Sequence, residues 1–485
     1  MLHTFDVLNA YNIDIMYVSQ VESATVNRVD PSLRWLDRVG DGAAPIYLRV
    51  AGALEAAVRD GELQPGDQLP PQRAVARALG VDLTTVTRAY AAARARGLLE
   101  GAVGRGTFVR SVADEAGRVD LSMNLPPPPQ GVPLGRLLKE TTAAILDRTD
   151  PSVLMAYHPG GGSLGQRVAG AAWLAPVLGR ELGDLAPERV LVAPGAQTAL
   201  AAVLALAPAG SALVVEPLVY PGVITAARRL GLRLVVCPAD AGGMDPEALA
   251  RVLAAERPAA VYVTPTTNNP TAVTMDAGRR AAIAQAARVA RVWIVEDDPY
   301  ARLLERPLPS LASLAPERTF HIATLSKCLS PGLRTAYLVP PPGPTVATTA
   351  EALRALAQMP APLMTAVVTA WIREGTAEAL LAGVRREALA RRALAAEMLP
   401  TARGAAESLH VWLDLPAGRD PARLRRLAQE RGLALVAADA FAAAPDHPDG
   451  LRISLGGPAK QVVLRTALEG VAALLSDSGP ARAVV

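Results

Sequence analysis

Residues 292–300 read VWIVEDDPY, an apolar run that ends in acids, a proline and a tyrosine. Similar short apolar runs recur along the chain, and helical patterns separate most of them: 189–193, 212–216, 233–237, 260–264 and 319–324. Short, continuously apolar segments that alternate with helices are typical of buried parallel strands. The sequence therefore predicts a doubly wound α/β domain, in which ligands bind at the carboxyl ends of the strands.

Length and composition narrow the class of protein. A chain of 485 residues should contain more than one domain. The part after about residue 350 is rich in helical patterns followed by short strand candidates, which predicts a smaller α/β domain. There is no apolar run long enough for a membrane-spanning helix, no secretory signal pattern, and no metal or redox spacing between Cys237 and Cys328. We therefore expect a cytoplasmic protein with no membrane partner and no bound metal.

The segment from 44 to 110 is more basic than the rest of the chain. It contains nine arginines and six acids, so its net charge of +3 equals the formal charge of the whole chain. A small basic module on a neutral body indicates nucleic-acid binding only weakly, because an ordinary solvated surface gives the same count. Residues 1–43 differ in composition and are predicted to be a poorly ordered N-terminal extension or a misplaced start.

Three helical patterns and a hairpin pattern follow one another within the basic segment. The helices are predicted over 46–60, up to Leu79, and over 83–96, with Asp82 as the N-cap of the third. This order predicts a winged helix-turn-helix whose third helix enters the major groove of double-stranded DNA. The side chains expected to contact DNA lie at the head of the second helix, at the start of the third and in the wing: Arg73, Thr84, Thr85, Thr87, Arg88 and Arg105.

Residues 63–109 resemble the DNA-binding domain of the GntR family along nearly their whole length. The elements LPxxR, LGV…TV…AY and GxGTFV of that family are all present. Leu83 stands where the family often has an arginine in its recognition helix, which leaves the base preference at that position open. The resemblance implies the same mode of docking on DNA.

Lysine is rare in this chain, since only three of the 49 Lys plus Arg residues are lysines: Lys139, Lys327 and Lys460. Lys327 lies in TLSKCLSPGLR (324–334), directly after a strand candidate, with Ser326 beside it and Arg334 seven residues further on. An amine can form a Schiff base with an aldehyde and a guanidinium cannot, while Arg334 suits a phosphate. An aldehyde with a phosphate describes pyridoxal phosphate. A surface lysine on a loop is the alternative for Lys327 taken alone.

Other residues near strand ends suit the same cofactor. A buried carboxylate at Asp297 can hold the proton of a pyridine nitrogen, and Tyr300 can donate to the phenolic oxygen of the ring. A metal site at Asp297 and Asp298 is the alternative. Gly195, Ala196 and Gln197 form a glycine turn before a helix, whose amides suit a phosphate, and Asn269 is a second candidate donor to the phenolic oxygen. Tyr220 could stack on the ring of the cofactor or simply pack in the core. Arg452 is a candidate clamp for a carboxylate.

In this order, these elements resemble the class I aminotransferases of fold type I over about residues 120–485. The resemblance implies that Lys327 is the Schiff-base lysine, that Ser326 and Arg334 hold the phosphate with residues 195–197, and that Arg452 binds the substrate carboxylate. Asn124, in DLSMNLPP, resembles the segment that helps to close such active sites. Ala272 breaks the family's Asn-Pro-Thr-Gly pattern, so the local backbone there is not implied.

A GntR-like module ahead of an aminotransferase-like domain resembles the MocR family of transcriptional regulators. Such a chain is expected to be a homodimer that binds pyridoxal 5'-phosphate as an internal aldimine at Lys327, senses an amino compound or the cofactor itself, and binds an operator of two half-sites. The predicted parts are the extension (1–43), the winged helix-turn-helix (44–110), a linker (111–119) and the aminotransferase-like domain (120–485). A catalytically active aminotransferase with an accessory DNA-binding head, and a regulator that binds no cofactor, remain as alternatives.

Overall fold

The computed structural model describes residues 31–64, 67–102, 106–110, 118–158, 161–182, 185–416 and 418–477. Contacts within the chain separate two compact units. The first contains residues 1–57 and 68–107, and the second contains residues 58–67 and 108–485. In the described ranges, no helix is both long enough and apolar enough to cross a bilayer.

The predicted three helices and hairpin are present in the N-terminal part of the chain. The helices are α1 (Ile46–Arg59), α2 (Gln72–Leu79) and α3 (Leu83–Ala95), and the two-stranded sheet consists of β1 (Leu99–Ala102) and β2 (Gly106–Val109). Asp82 caps α3, because its carboxylate accepts the backbone N–H of Thr84 at 2.7 Å. The hydroxyl of Tyr90 on α3 donates to the carbonyl of Pro70 at 3.1 Å, which ties α3 to the turn before α2.

A short 3₁₀ helix, Pro31–Arg38, precedes α1. Its Trp35 is only 1% exposed, and Leu36 is also buried. Burial of a large indole stabilises the turn that carries it. Residues 31–38 therefore form regular structure, and the assignment of residues 1–43 as an extension or a misplaced start stays a prediction. Residues 1–30 lie outside the described residues.

The second unit contains the remaining strands and helices. Its strands are β3 (Val119–Asp120), β4 (Leu191–Ala193), β5 (Ala212–Val215), β6 (Arg233–Val236), β7 (Ala239–Asp240), β8 (Gly243–Met244), β9 (Ala260–Val263), β10 (Trp293–Asp297), β11 (Thr319–Thr324), β12 (Ala336–Val339), β13 (His410–Asp414), β14 (Leu433–Ala434), β15 (Val436–Ala437) and β16 (Gly450–Ser454). Its helices are α4 (Leu134–Arg148), α5 (Pro151–Leu154), α6 (Leu164–Leu182), α7 (Ala196–Leu204), α8 (Pro221–Arg229), α9 (Pro246–Glu256), α10 (Ala277–Ala290), α11 (Leu311–Leu314), α12 (Thr345–Ala357), α13 (Pro362–Arg373), α14 (Thr376–Met398), α15 (Pro421–Glu430) and α16 (Gln461–Asp477).

Seven strands form the central sheet in the order β4-β12-β11-β10-β9-β5-β6. The pairs β11–β10, β10–β9, β9–β5 and β5–β6 are parallel, as the apolar runs predicted. Strand β12 was not among the predicted strands, and it runs antiparallel to both β11 and β4. The sheet is consequently mixed at one edge. Among the described strands, β12 is the one that pairs with β4, the strand predicted at 189–193.

Helices cover both faces of this sheet, so its strands are apolar on both sides. Along β5, Leu213 and Val215 pack in the same core as residues of α7 and α8, whereas Val214 packs with residues of α9 and α10. A third core joins Trp173 of α6 to Trp371 of α13 and to the first turns of α14. The doubly wound architecture predicted from the sequence is therefore present.

The smaller α/β part contains the antiparallel sheet β13-β16-β15, covered by α15, α16 and the C-terminal half of α14. Strand β14 pairs with β3, so the chain enters this unit alongside the smaller part. The predicted division at about residue 350 falls inside α12. This helix packs against α7, which itself covers one face of the seven-stranded sheet. This arrangement places residues 119–125 over the carboxyl end of the central sheet.

Candidate functional site

A cavity of about 530 Å³ lies at the carboxyl ends of the central strands. The structure brings almost all of the predicted site residues to it. Those that line it are Asn124, Ala196, Gln197, Tyr220, Asn269, Asp297, Tyr300, Ser326, Lys327, Arg334 and Arg452. Loops that follow β4, β5, β9, β10 and β11 contribute most of these side chains, as expected for an α/β sheet.

Lys327 lies three residues after the end of β11 and is half-buried. Its Nζ donates to the backbone oxygen of Asn124 at 2.5 Å. Burial, reinforced by the nearby cation Arg452 and opposed by Asp297, lowers the pKa of Lys327 to about 8. A sizeable fraction of this amine is therefore neutral near physiological pH, which a nucleophilic amine requires.

Asp297 ends β10 and is buried. The hydroxyl of Tyr262 donates to its Oδ2 at 2.8 Å, whereas the buried Oδ1 has no hydrogen-bond partner among the residues that the structure describes. Burial raises the pKa of Asp297 to about 6, and the bond from Tyr262 opposes that rise. An unpartnered buried carboxylate oxygen is costly unless a ligand donates to it, and the protonated nitrogen of a heteroaromatic ring is such a donor. Tyr262 was not among the predicted site residues.

Tyr300 and Asn124 form a buried pair beside Lys327. The side-chain Nδ2 of Asn124 donates to the hydroxyl oxygen of Tyr300 at 2.8 Å. Burial raises the pKa of Tyr300 above its ordinary value, so the phenol keeps its proton. Because Tyr300 accepts from Asn124, its own O–H remains available as a donor towards the cavity.

Four elements converge where a phosphate is predicted. Gly195 precedes α7 with φ +111°, and a Cβ there would lie 2.7 Å from the guanidinium of Arg334. The amides of Ala196 and Gln197 begin α7, where a helix N-terminus favours an anion. Arg334 donates to the carbonyl of Pro194 at 3.1 Å. Ser326, whose hydroxyl oxygen accepts from Thr324 at 3.0 Å, completes a cradle of donors.

Arg452 lies on β16 and is buried. Its Nη1 donates to Oδ1 of Asn269 at 2.7 Å, and its Nη2 donates to the carbonyl of Ser122. Its Nε has no partner in the described part of the chain. Phe441 packs against the guanidinium, with 4.8 Å between the ring centre and Cζ. Among the described residues no acid forms an ion pair with Arg452. A buried guanidinium without an anionic partner suits a ligand carboxylate.

Two predicted contacts have neighbours that the sequence did not indicate. Asn269 uses its Oδ1 for Arg452, so its Nδ2 end is the one suited to the predicted contact with a phenolic oxygen. Tyr220 caps α8 and packs against Gly222, where a Cβ would overlap its ring. Its stacking role stays a prediction.

Residues 119–125, here called the cover segment, bridge the site. The backbone N–H of Ser454 donates to the carbonyl of Leu121, and its hydroxyl donates to the carbonyl of Met123, each at 2.8 Å. Lys327 and Arg452 donate to the carbonyls of Asn124 and Ser122. The predicted closing segment therefore lies directly between the two cations of the cavity.

Glu216 is another buried acid of this unit, and it is outside the lining of the cavity. Oε2 of Glu216 accepts from Nδ2 of Asn268 at 2.6 Å. Burial raises the pKa of Glu216 to about 7, and its hydrogen bonds oppose the rise. The carbonyl of Asn268 lies 3.1 Å from Nε2 of His410 on β13. Neither Glu216 nor His410 was predicted, because each is an isolated polar residue beside apolar strand residues.

The predicted DNA-contacting residues lie at the start of α2 and α3. Arg73 and Thr84 are exposed, and Thr85 is half-buried. The hydroxyl of Thr87 donates to Gln72 at 2.7 Å, which ties α3 to α2. Arg88 lies over the ring of Tyr47, 4.3 Å from its centre. Arg105 lies outside the described residues. All six assignments stay predictions.

Comparison with known proteins supports both parts of this description. The family model "Aminotransferase class I and II" matches residues 119–468, and "Bacterial regulatory proteins, gntR family" matches residues 46–109. An uncharacterized HTH-type transcriptional regulator of Bacillus subtilis, YdeF, is 30% identical over 459 residues, which cover 92% of this chain and 97% of YdeF.

Two further relatives show the regulatory and the enzymatic sides of this likeness. A probable rhizopine catabolism regulatory protein of Rhizobium meliloti, MocR, is 29% identical over 342 residues, covering 63% of this chain and 67% of MocR. The crystal structure of LysN, the α-aminoadipate aminotransferase of Thermus thermophilus complexed with N-(5'-phosphopyridoxyl)-L-leucine, is 27% identical with a TM-score of 0.67. It covers 79% of this chain and 96% of LysN.

Proposed function

Because this chain belongs to the MocR-type regulators, which join a GntR-type helix-turn-helix to a class I and II aminotransferase domain, we propose that it is a DNA-binding transcriptional regulator that responds to an amino compound through a pyridoxal 5'-phosphate site at Lys327. One observation carries the proposal: a DNA-reading module and a cavity with the donors for this cofactor occur in one chain. A regulator of this kind acts in the cytoplasm, where the DNA is.

The residues present fit pyridoxal 5'-phosphate. When bound, this cofactor supplies an aldehyde that condenses with an amine and a ring that withdraws electrons. Lys327 presents an amine whose pKa is lowered to about 8, and Asp297 presents an unpartnered buried oxygen. The amides of Ala196 and Gln197, with Arg334, surround a glycine position that a side chain would fill. Each of these features is energetically unfavourable in a core that binds no ligand, and together they support a cofactor site.

Arg452 supports recognition of a carboxylate on the effector. Its guanidinium is buried, pairs with no acid among the described residues, and bonds only to the neutral oxygens of Asn269 and Ser122. An α-carboxylate could replace the Ser122 oxygen with two charge-assisted bonds. We therefore expect amino acids or related amino carboxylates to bind more tightly than amines without an acid group.

The cover segment supplies a route from the cavity to the DNA-binding module. It follows directly after residues 111–118, which join the two, and its carbonyls at Ser122 and Asn124 are hydrogen-bonded by Arg452 and Lys327. Ligands that engage those two cations compete with these bonds. Effector binding can change the free energy of DNA binding only if the two states of the protein differ in effector affinity, and this competition provides such a difference.

The chain is proposed to act as a homodimer on paired half-sites. Several apolar side chains between α5 and the middle of α6 are exposed: Val153, Met155, Tyr157, Leu164 and Val168. Large exposed apolar side chains close together in sequence are suited to an interface, and a second copy of this chain is the occupant proposed here. Light scattering of the pure protein tests this, and a monomer at micromolar concentration would rule the dimer out.

DNA binding measured against ligand tests the function. Fluorescence anisotropy with DNA from upstream of the gene, with and without pyridoxal 5'-phosphate and a panel of amino acids, should reveal at least one amino compound that changes the DNA affinity of wild type. Lys327→Ala should lose that response. Steady production of a keto acid with unchanged DNA affinity would indicate instead a working aminotransferase with an accessory head.

A further inference from the structure

His410 is a buried histidine that connects three parts of the second unit. It begins β13 and is 0% exposed. Its Nε2 lies 3.1 Å from the backbone oxygen of Asn268, in the loop after β9, and its Nδ1 lies 2.9 Å from Nδ2 of Asn124, in the cover segment. It is not among the residues that line the cavity, so it can act on a ligand only through a neighbour.

The neighbours of His410 determine its tautomer. A backbone carbonyl has no proton to give, so Nε2 must carry the proton and donate to Asn268. In a neutral imidazole, Nδ1 is then an acceptor, and the amide of Asn124 must turn its N–H groups towards it. Burial, with Arg452 and Lys327 nearby, lowers the pKa of His410 to about 3, which keeps the ring neutral.

The orientation of Asn124 determines in turn the direction of the next hydrogen bond. Its Nδ2 also donates to the hydroxyl oxygen of Tyr300 at 2.8 Å, so the oxygen of Tyr300 is an acceptor in this pair. The single proton of that hydroxyl is therefore directed elsewhere, and the cavity is the space that the phenol lines. If the amide of Asn124 were rotated by 180°, the hydroxyl of Tyr300 would donate its hydrogen bond to the amide oxygen instead.

We propose that His410 is a positioning residue which, by fixing the amide of Asn124, directs the hydroxyl proton of Tyr300 into the cavity. The tautomer and the orientation of Asn124 rest on the contacts and the burial of His410 within the protein and require no ligand. The ligand atom that receives the proton, the phenolic oxygen of pyridoxal 5'-phosphate, rests on the function proposed above.

The first test needs no ligand. In cofactor-free protein labelled with ¹⁵N-histidine, the imidazole signals of His410 are assigned among the five histidines by their loss in His410→Asn. We expect a neutral ring with the proton on Nε2 between about pH 5 and pH 8, the range in which an ordinary histidine titrates. A proton on Nδ1, or titration within this range, overturns the proposal whether or not the protein binds the cofactor.

The second test asks whether His410 acts through Tyr300. A donor to the phenolic oxygen stabilises negative charge there, so losing it should raise the midpoint of the pH-dependent change in the visible spectrum of the cofactor-bound protein. From the strength of a hydrogen bond to a charged group, Tyr300→Phe and His410→Phe should each raise it by about one pH unit. In the double variant the two shifts should not add.

Two further variants keep this test decisive. His410→Asn retains an acceptor oxygen near the position of Nδ1 and should return the midpoint most of the way to the wild-type value, even if His410→Phe folds poorly. His447→Phe, which changes a half-buried histidine outside the cavity lining, should leave the midpoint unchanged. Additive shifts in the double variant, or a His410→Asn midpoint as high as that of Tyr300→Phe, would show that His410 is only structural. If wild type binds no cofactor, the proposed function fails, while the result from ¹⁵N NMR still decides the orientation of Asn124.

Discussion

The hydroxyl of Tyr262 donates to Oδ2 of Asp297 across 2.8 Å, and Oδ1 of the same carboxylate has no partner within the described ranges. The two residues come from neighbouring parallel strands, since Tyr262 lies opposite Val295 in the pairing of β9 with β10. The bond fixes the rotation of a buried carboxylate that otherwise has few donors. Tyr262 thereby determines which oxygen of Asp297 is available to a ligand.

Replacing Tyr262 should weaken cofactor binding without removing Lys327 or Asp297. In Tyr262→Phe the carboxylate loses a donor that lowers its pKa, so both its charge and its orientation become less favourable for a protonated ring nitrogen. We expect the dissociation constant of pyridoxal 5'-phosphate to rise about tenfold or more in a spectroscopic titration. The matched control is Tyr337→Phe, which changes a buried tyrosine on a different strand, β12. Equal affinities of the two variants would contradict the role given to Tyr262.

Arg452→Ala should abolish the response to effector while sparing the cofactor. Loss of a buried carboxylate partner typically weakens binding by at least about 30-fold. Titration of the cofactor-bound protein with the amino compound found active on wild type measures this change. The control is Arg425→Ala, which removes a partly exposed arginine of the smaller α/β part. Unchanged effector affinity in Arg452→Ala would require another carboxylate site.

Stability should depend on pH through Glu216. Its pKa is about 7 in the folded protein against 4.5 for the exposed group, so the folded state binds this proton more tightly than the unfolded chain. Its contribution therefore disappears as the pH rises through that window. Relative to Glu216→Gln, cofactor-free wild type should lose about 2–3 kcal/mol of unfolding free energy between mildly acidic and mildly alkaline pH. Urea unfolding measures the difference, with Glu469→Gln, at an exposed glutamate, as the surface control.

Arg73 should contribute to DNA affinity in a salt-dependent way. It is exposed in the first turn of α2, where it can meet a phosphate. Arg73→Ala should weaken binding to all DNA sequences alike and reduce the slope of log affinity against log salt by about 1. Arg59→Ala, at the exposed end of α1, serves for comparison. A loss confined to one operator sequence would point to base contact rather than phosphate contact.

Displacing the cover segment should make DNA affinity independent of the effector. A Cβ on Gly456 would overlap the carbonyl oxygen of Leu125, so Gly456→Ala must shift this segment. We expect DNA affinity that no longer changes when the effector is added, measured by anisotropy as for wild type. In Gly278→Ala, the new Cβ meets its nearest neighbour, Asp276, at 3.4 Å, and the response should persist. A normal response in Gly456→Ala would exclude the cover segment as the route.

Local signals explain why so much of the architecture could be predicted. The capping bond of Asp82, the end of β10 at Asp297 and the end of β11 shortly before Lys327 involve residues close together in sequence. Strand β12 was missed because four residues after a loop, Ala336–Val339, carry no pattern that separates a strand from a buried turn. Its antiparallel direction depends on β4 and β11, which lie far away along the chain.

The residues that orient the site were hidden for a related reason. His410 is 142 residues from Asn268 and 286 from Asn124, and Tyr262 is 35 residues from Asp297. A histidine or tyrosine within an apolar strand predicts burial, but its hydrogen-bond partner is decided by the strand order and by the path of the cover segment. Residue type identified the side chains suited to bind a ligand. The side chains that orient them through hydrogen bonds can be identified only from the fold.

The carbonyls of Ser122 and Asn124 act as internal substitutes for two ligands, and this has a consequence for selectivity. A small anion that reaches Arg452 must give up an existing hydrogen bond to gain a new one, so its net gain is modest. A molecule that carries both an amine and an acid can replace both substitutes at once and gains from holding the two groups together. The protein would thus bind simple anions weakly, even where they are abundant, and would respond to a scarcer compound that binds both Lys327 and Arg452.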